Sequence, residues 1–129
     1  VPKIYSYYSE ELLFKFSIDN VVGADQPSWP ETEDYPPLPP REAIEISKRT
    51  LLVLLNDYPW AEPEFHSCAL KRTSKYEGGW WYYDIDWMVW PPEQDGSDRS
   101  GVNVPVMLNG KVPPYEVFKY EDRALAWKT

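Results

Sequence analysis

Large apolar and polar side chains alternate in four stretches of this chain, and each predicts a β-strand. Leu12, Phe14, Phe16 and Ile18 alternate with Glu11, Leu13, Lys15 and Ser17, predicting a first strand with one buried face. A second strand is expected over Phe65 to Tyr76, with Cys68 and Leu70 pointing inward, and Glu77-Gly78-Gly79 then makes a turn. The third strand, Trp80 to Trp90, is the most informative. One face is Trp81, Tyr83, Ile85, Trp87 and Val89, uniformly large and apolar. The other is Trp80, Tyr82, Asp84, Asp86, Met88 and Trp90, which mixes aromatic rings with two carboxylates. A surface that faces only water does not need those rings, so this second face is either covered or binds a partner. After a polar loop over Pro91 to Gly101, a fourth strand places Val102, Val104, Val106 and Leu108 on one side and Asn103, Pro105 and Met107 on the other. Pro105 has no amide donor, which predicts an edge or a bulge. Asn109-Gly110 is a turn signal, Tyr115 to Tyr120 extends the sheet, and Glu121 to Thr129 forms a short helix or a loose tail anchored by Trp127.

The period changes to that of a helix only after Pro40. Proline suits a first turn, and Glu42 stands near the positive end of the helix. Ala43, Ile44, Ser47, Thr50, Leu51, Leu54 and Leu55 make one face, which Ile46, Leu52 and Val53 widen, so the helix is expected to be embraced by a curved sheet. Asn56-Asp57 ends it, and Tyr58-Pro59 prevents continuation. Between the first strand and the helix, Asn20 to Pro40 is too rich in proline for regular structure. Pro36-Pro37-Leu38-Pro39-Pro40 favours polyproline II, with Trp29, Tyr35 and Leu38 placed to pin the loop to the body. The order of elements predicts a single α+β domain over 1–129, one helix packed on a curved four- to five-stranded antiparallel sheet.

Composition narrows the function classes. At 129 residues one core is feasible, and aromatic residues make up 16% of the chain. The net charge of -8, with no cluster of Lys and Arg, argues against nucleic acid and anionic membrane surfaces; the charge reads first as a device for solubility, with steering toward a basic partner as the alternative. No apolar run is long enough for a membrane-spanning helix. Cys68 is the only cysteine, which excludes an intramolecular disulfide and a cysteine-based zinc site. His66 is the only histidine. Two positions from Cys68 on one regular strand, it is expected on the same face, where a Cys–His pair is conceivable; a half-buried strand of mixed residues is the simpler reading. Asp84 and Asp86 are expected roughly 7 Å apart by strand geometry, a spacing open to acid/base work or a cation, but nothing in the sequence supplies further ligands. Asp95-Gly96-Ser97-Asp98 reads as a turn rather than a calcium loop, and there is no glycine-rich phosphate cradle. The expectation is no catalytic residue, no metal and no cofactor.

Three segments carry a family resemblance: Arg41-Glu42-Ala43-Ile44-Glu45-Ile46, Trp81-Tyr82-Tyr83-Asp84-Ile85-Asp86, and Val104-Pro105-Val106-Met107-Leu108-Asn109-Gly110-Lys111-Val112. Over about residues 40 to 113 the chain resembles PepSY domains and, more broadly, the cystatin-like fold. The resemblance implies a bacterial protein, periplasmic or secreted, with a non-catalytic role such as inhibiting or chaperoning a peptidase. Residues 1–39 have no counterpart in it. The expected function is therefore a binding module for a protein or peptide partner, with Trp80, Tyr82, Asp84, Asp86, Met88 and Trp90 as its binding residues. Two alternatives remain: a cytosolic immunity-type protein that neutralises a basic toxin, and a small cone-fold enzyme with a pocket lined by His66, Asp84 or Asp86. The sequence does not set the oligomeric state.

Overall fold

A computed structural model describes residues 2–19, 26–91 and 100–128. Six strands occur among them: β1 (Lys3–Tyr8), β2 (Leu12–Ser17), β3 (Glu64–Arg72), β4 (Trp81–Val89), β5 (Ser100–Met107) and β6 (Tyr115–Lys119). One α-helix, α1 (Pro40–Leu54), lies between β2 and β3, and short 3₁₀ helices cover Lys75–Glu77 and Tyr120–Trp127. The α+β class is as expected, but the strands form two antiparallel three-stranded sheets, in the orders β1–β2–β6 and β3–β4–β5.

The seam between the sheets explains the division. β1 and β5 run side by side, held by serine side chains instead of a ladder. The Asn103 amide donates to Ser6 Oγ at 2.8 Å, the Ser9 amide donates to Ser100 Oγ at 2.9 Å, and Ser100 Oγ donates to the Tyr7 carbonyl at 3.0 Å. Backbone amides alternate in direction along a strand, so position 105 faces the same side as the Asn103 amide. That position is Pro105, which has no N–H to give. The edge expected from Pro105 is thus the edge of the β5 ladder.

Both sheets turn their apolar faces inward to one core. Phe14 and Phe16 from β2 meet Tyr83, Ile85, Trp87 and Val89 from β4 and Val102, Val104 and Val106 from β5, all with at most 2% exposure. Burying side chains of this size contributes about 1.5–3 kcal/mol each. Helix α1 begins with Pro40 after a Pro39 in polyproline II geometry (φ -65°, ψ 143°). It buries Ala43, Ser47 and Leu51, one residue per turn, and Leu55 follows on the same side. The wider face expected from the sequence forms only in part: Ile44, Ile46 and Leu54 pack half-buried against the core, whereas Leu52 is 49% and Val53 68% exposed. At 100° per residue Leu52 and Val53 point away from the Ala43–Leu51 line. Ser47 links the layers, accepting from Trp87 Nε1 at 2.8 Å and donating to the Val104 carbonyl at 3.1 Å.

The linker is pinned at two of its three expected points. Trp29 packs edge-on against Trp81 with ring centres 4.9 Å apart, and the buried Leu38 takes the Tyr83 hydroxyl on its carbonyl at 2.6 Å. Tyr35 is 83% exposed and pins nothing. The described helices include none long and apolar enough to cross a membrane.

Candidate functional site

The β3–β4 ladder sets the geometry of the mixed face. Pairing runs from Arg72 opposite Trp81 to Glu64 opposite Met88, with a bulge between Phe65 and Ser67. Tyr82, Asp84, Asp86 and Met88 share the outer face of β4, while Tyr83, Ile85, Trp87 and Val89 enter the core. On β3, Ser67 stands opposite Asp86, Ala69 opposite Asp84 and Lys71 opposite Tyr82. On β5, Asn103 stands opposite Asp86 and Pro105 opposite Asp84.

Both carboxylates are held by neighbouring strands. Lys71 Nζ donates to Asp84 Oδ2 at 2.7 Å, and Asn103 Nδ2 donates to Asp84 Oδ1 at 2.9 Å. His66 Nδ1 lies 3.1 Å from Asp86 Oδ2. The side chain of Asp84 is 13% exposed and that of Asp86 24%, whereas Lys71 and His66 are both more than half exposed. The hydrogen bond from Lys71 to Asp84, and then the Asp84 charge, push the Lys71 ammonium above its ordinary pKa. Burial, followed by the Asp84 charge, pushes the Tyr82 phenol up as well. The two aspartates therefore act as anchors of a cross-strand network rather than as a shared cation site. Among the described residues no three His, Cys, Asp or Glu side chains come together to hold a metal.

The bulge corrects one expectation. Cys68 pairs with Ile85 and packs against the core, while His66 reaches Asp86 on the outer face. The extra residue breaks the period-two relation, so the two side chains lie on opposite sides of the sheet. Burial, and then the Asp84 charge, raise the Cys68 thiol above its ordinary pKa, which disfavours the nucleophilic thiolate.

The remaining two candidates flank the face. Trp80 precedes β4, where its amide donates to Thr73 Oγ1 at 2.7 Å. It is half-buried in a cleft of about 320 Å³ shared with Pro27, Trp29, Pro30, Arg72 and Trp81, so the described part of the linker does reach it. Its Nε1 is buried with no hydrogen-bond partner among the described residues. Trp90 follows β4, is half-buried, and accepts the Tyr8 hydroxyl on its carbonyl at 2.6 Å. The Asp95–Asp98 turn lies outside the described residues.

The outer faces of the two sheets differ. Over β1–β2–β6 the C-terminal 3₁₀ helix packs Trp127 on Tyr5 at 4.5 Å and Tyr120 against Tyr7 at 6.1 Å. Leu13 and Lys15 on that side of β2 are both at most 2% exposed. Over β3–β4–β5 no described helix or strand is laid down. Pro105 and Met107 on β5 are buried, so the open area is the part built by β3 and β4. Sequence reasoning found the β4 residues of this area. It missed Lys71 and Asn103 as their partners, and it grouped His66 with Asp84 or Asp86 only as the lining of an enzyme pocket, because those contacts depend on cross-strand register and on a bulge.

No family model matches the chain, and neither does any curated protein or solved structure.

Proposed function

We propose that the chain is a non-catalytic binding module that takes a protein partner on the β3–β4 outer face. The observation that carries this reading is the contrast between the two sheets. One outer face is partly covered by the chain's own 3₁₀ helix, which seals Leu13 and Lys15. The other presents Tyr82 and Met88 beside a carboxylate network held rigid by Lys71, Asn103 and His66. A surface on which a ring, a thioether and hydrogen-bonded carboxylates are already in place suits protein recognition, since less side-chain freedom is lost on docking. The net charge of -8 favours a basic partner, and neutralisation of a basic toxin is the second reading on that ground. The helix-then-meander order of residues 40–113 supports the PepSY-like reading, and a periplasmic or secreted setting belongs to that reading.

The test is quantitative capture from an extract of the source cell with the wild-type chain and with Tyr82→Arg, followed by titration of the captured protein. A cation in the centre of the face should weaken binding by at least tenfold, the loss typical of a hot-spot residue. Equal affinity for both chains removes the face from the interface.

A further inference from the structure

A second surface lies at the other end of α1. The helix ends at Leu54 and leaves part of the inner face of β6 uncovered, so that Val117 is 45% exposed. The result is a groove of about 500 Å³ with Leu12, Leu54 and Val117 in its lining, a size typical of ligand clefts, which run from roughly 300 to 1,000 Å³. Its lining also includes four carboxylates, Glu10 and Glu11 from the β1–β2 turn, Asp57 from beyond the helix, and Glu121 from the 3₁₀ helix. Glu11 accepts the Tyr58 hydroxyl at 3.2 Å. Glu10, Asp57 and Glu121 form no ion pair among the described residues, and neither does Lys119, the one cation in the lining.

The backbone adds to this charge. The groove sits at the C-terminal, negative end of α1, whose last turn carries no basic residue. Asp57 follows that end, where an acid opposes the dipole and a base would be favoured for local stability. Burial, reinforced by Glu11 and Asp57, raises the Tyr58 phenol, as expected in a negative field.

We propose that this groove receives an arginine or lysine side chain from a basic segment of a protein partner. The choice of occupant follows from the lining. A metal ion needs several converging oxygens, and no three metal-ligating side chains converge among the described residues. A long basic side chain instead lays its methylenes on Leu12, Leu54 and Val117 and carries its charge to the acidic rim. The groove shares no lining residue with the β3–β4 face, so the proposal stands apart from the reading of that face.

The test is a backbone-amide NMR titration with a short peptide of alternating arginine and leucine, against a glutamate–leucine control. The expected result is saturable shifts at Leu12, Asp57, Lys119 and Glu121, weakening as salt rises. The double variant Glu10→Gln with Glu121→Gln changes two exposed side chains that make no hydrogen bond among the described residues, and it should bind about tenfold more weakly, as the loss of two rim ion pairs implies. Tyr82→Arg should leave this titration unchanged. Shifts scattered over the acidic surface, a double variant that binds as tightly as wild type, or binding lost only in Tyr82→Arg would each overturn the groove assignment.

Discussion

At Gly78 the backbone stands at φ 103°, and a Cβ there would overlap the Trp80 indole. Both facts point the same way, because an L side chain is strained at that φ whatever the space around it. Gly78→Ala should therefore destabilise the chain by about 1–3 kcal/mol, read as a lower urea midpoint at unchanged slope. An unchanged midpoint would mean that the turn and the indole are not arranged as described. The turn itself was legible in Glu77-Gly78-Gly79, because few residue types tolerate its backbone. The packing of Trp80 over it was not: alternation assigns Trp80 to the outer face but does not show that the ring is half-buried beside Gly78 in a cleft reached by Pro27 and Trp29. Ser47 is a similar case. Its place on the buried stripe of α1 followed from spacing, whereas its bonds to Trp87 and Val104 depend on two strands far away in sequence.

Between elements, the seam of β1 and β5 makes the strongest demand on polar side chains. Two serines satisfy backbone groups that a regular ladder would pair, and Pro105 removes a donor beside them. Ser6→Ala together with Ser100→Ala should lower stability by about 1–2 kcal/mol, the lower part of the range for backbone groups left unpaired, because these groups are only part-buried. It should also speed hydrogen exchange at the amides of Ser9 and Asn103 specifically. Uniform exchange rates across β5 in the double variant would contradict this description of the seam. The sequence revealed β2, α1, β4 and β5 because each carries a clean period of two or a clear helical face. It did not reveal β1, since tyrosines at both 5 and 7 and again at 8 blur the alternation. It described β2 as buried on one face only. Leu13 and Lys15 are sealed because β2 is central and a 3₁₀ helix packs behind its sheet, facts of tertiary arrangement that no local pattern carries. The His66–Cys68 relation failed for a local reason, the bulge, that leaves no mark in residue type.

Across the whole molecule, titration in the alkaline range should be coupled to unfolding. The phenols of Tyr58, Tyr82 and Tyr83 are all raised, mainly by burial, and Lys71 is raised by Asp84. Each holds its proton more tightly in the folded chain, so the folded state binds more protons and stability falls as pH climbs through about 10. Lys3, lowered by desolvation and by Lys15 beside it, acts in the opposite sense. Ionisation of Tyr58, Tyr82 and Tyr83, followed ring by ring by NMR, should thus accompany the loss of circular dichroism above about pH 10. Titration of these three phenols at the ordinary value with the fold intact would contradict their burial.

The central claim also belongs to this scale: the chain's own 3₁₀ helix packs over one sheet, no described helix or strand packs over the other, and we propose that second face for a partner. Hydroxyl-radical footprinting of the chain, alone and with its captured partner, tests it most directly. The account predicts that Tyr82 and Met88 are labelled in the free chain and protected in the complex, with Trp87 unlabelled in both. Silence at Tyr82 and Met88 in the free chain, or equal labelling in the two states, would contradict it.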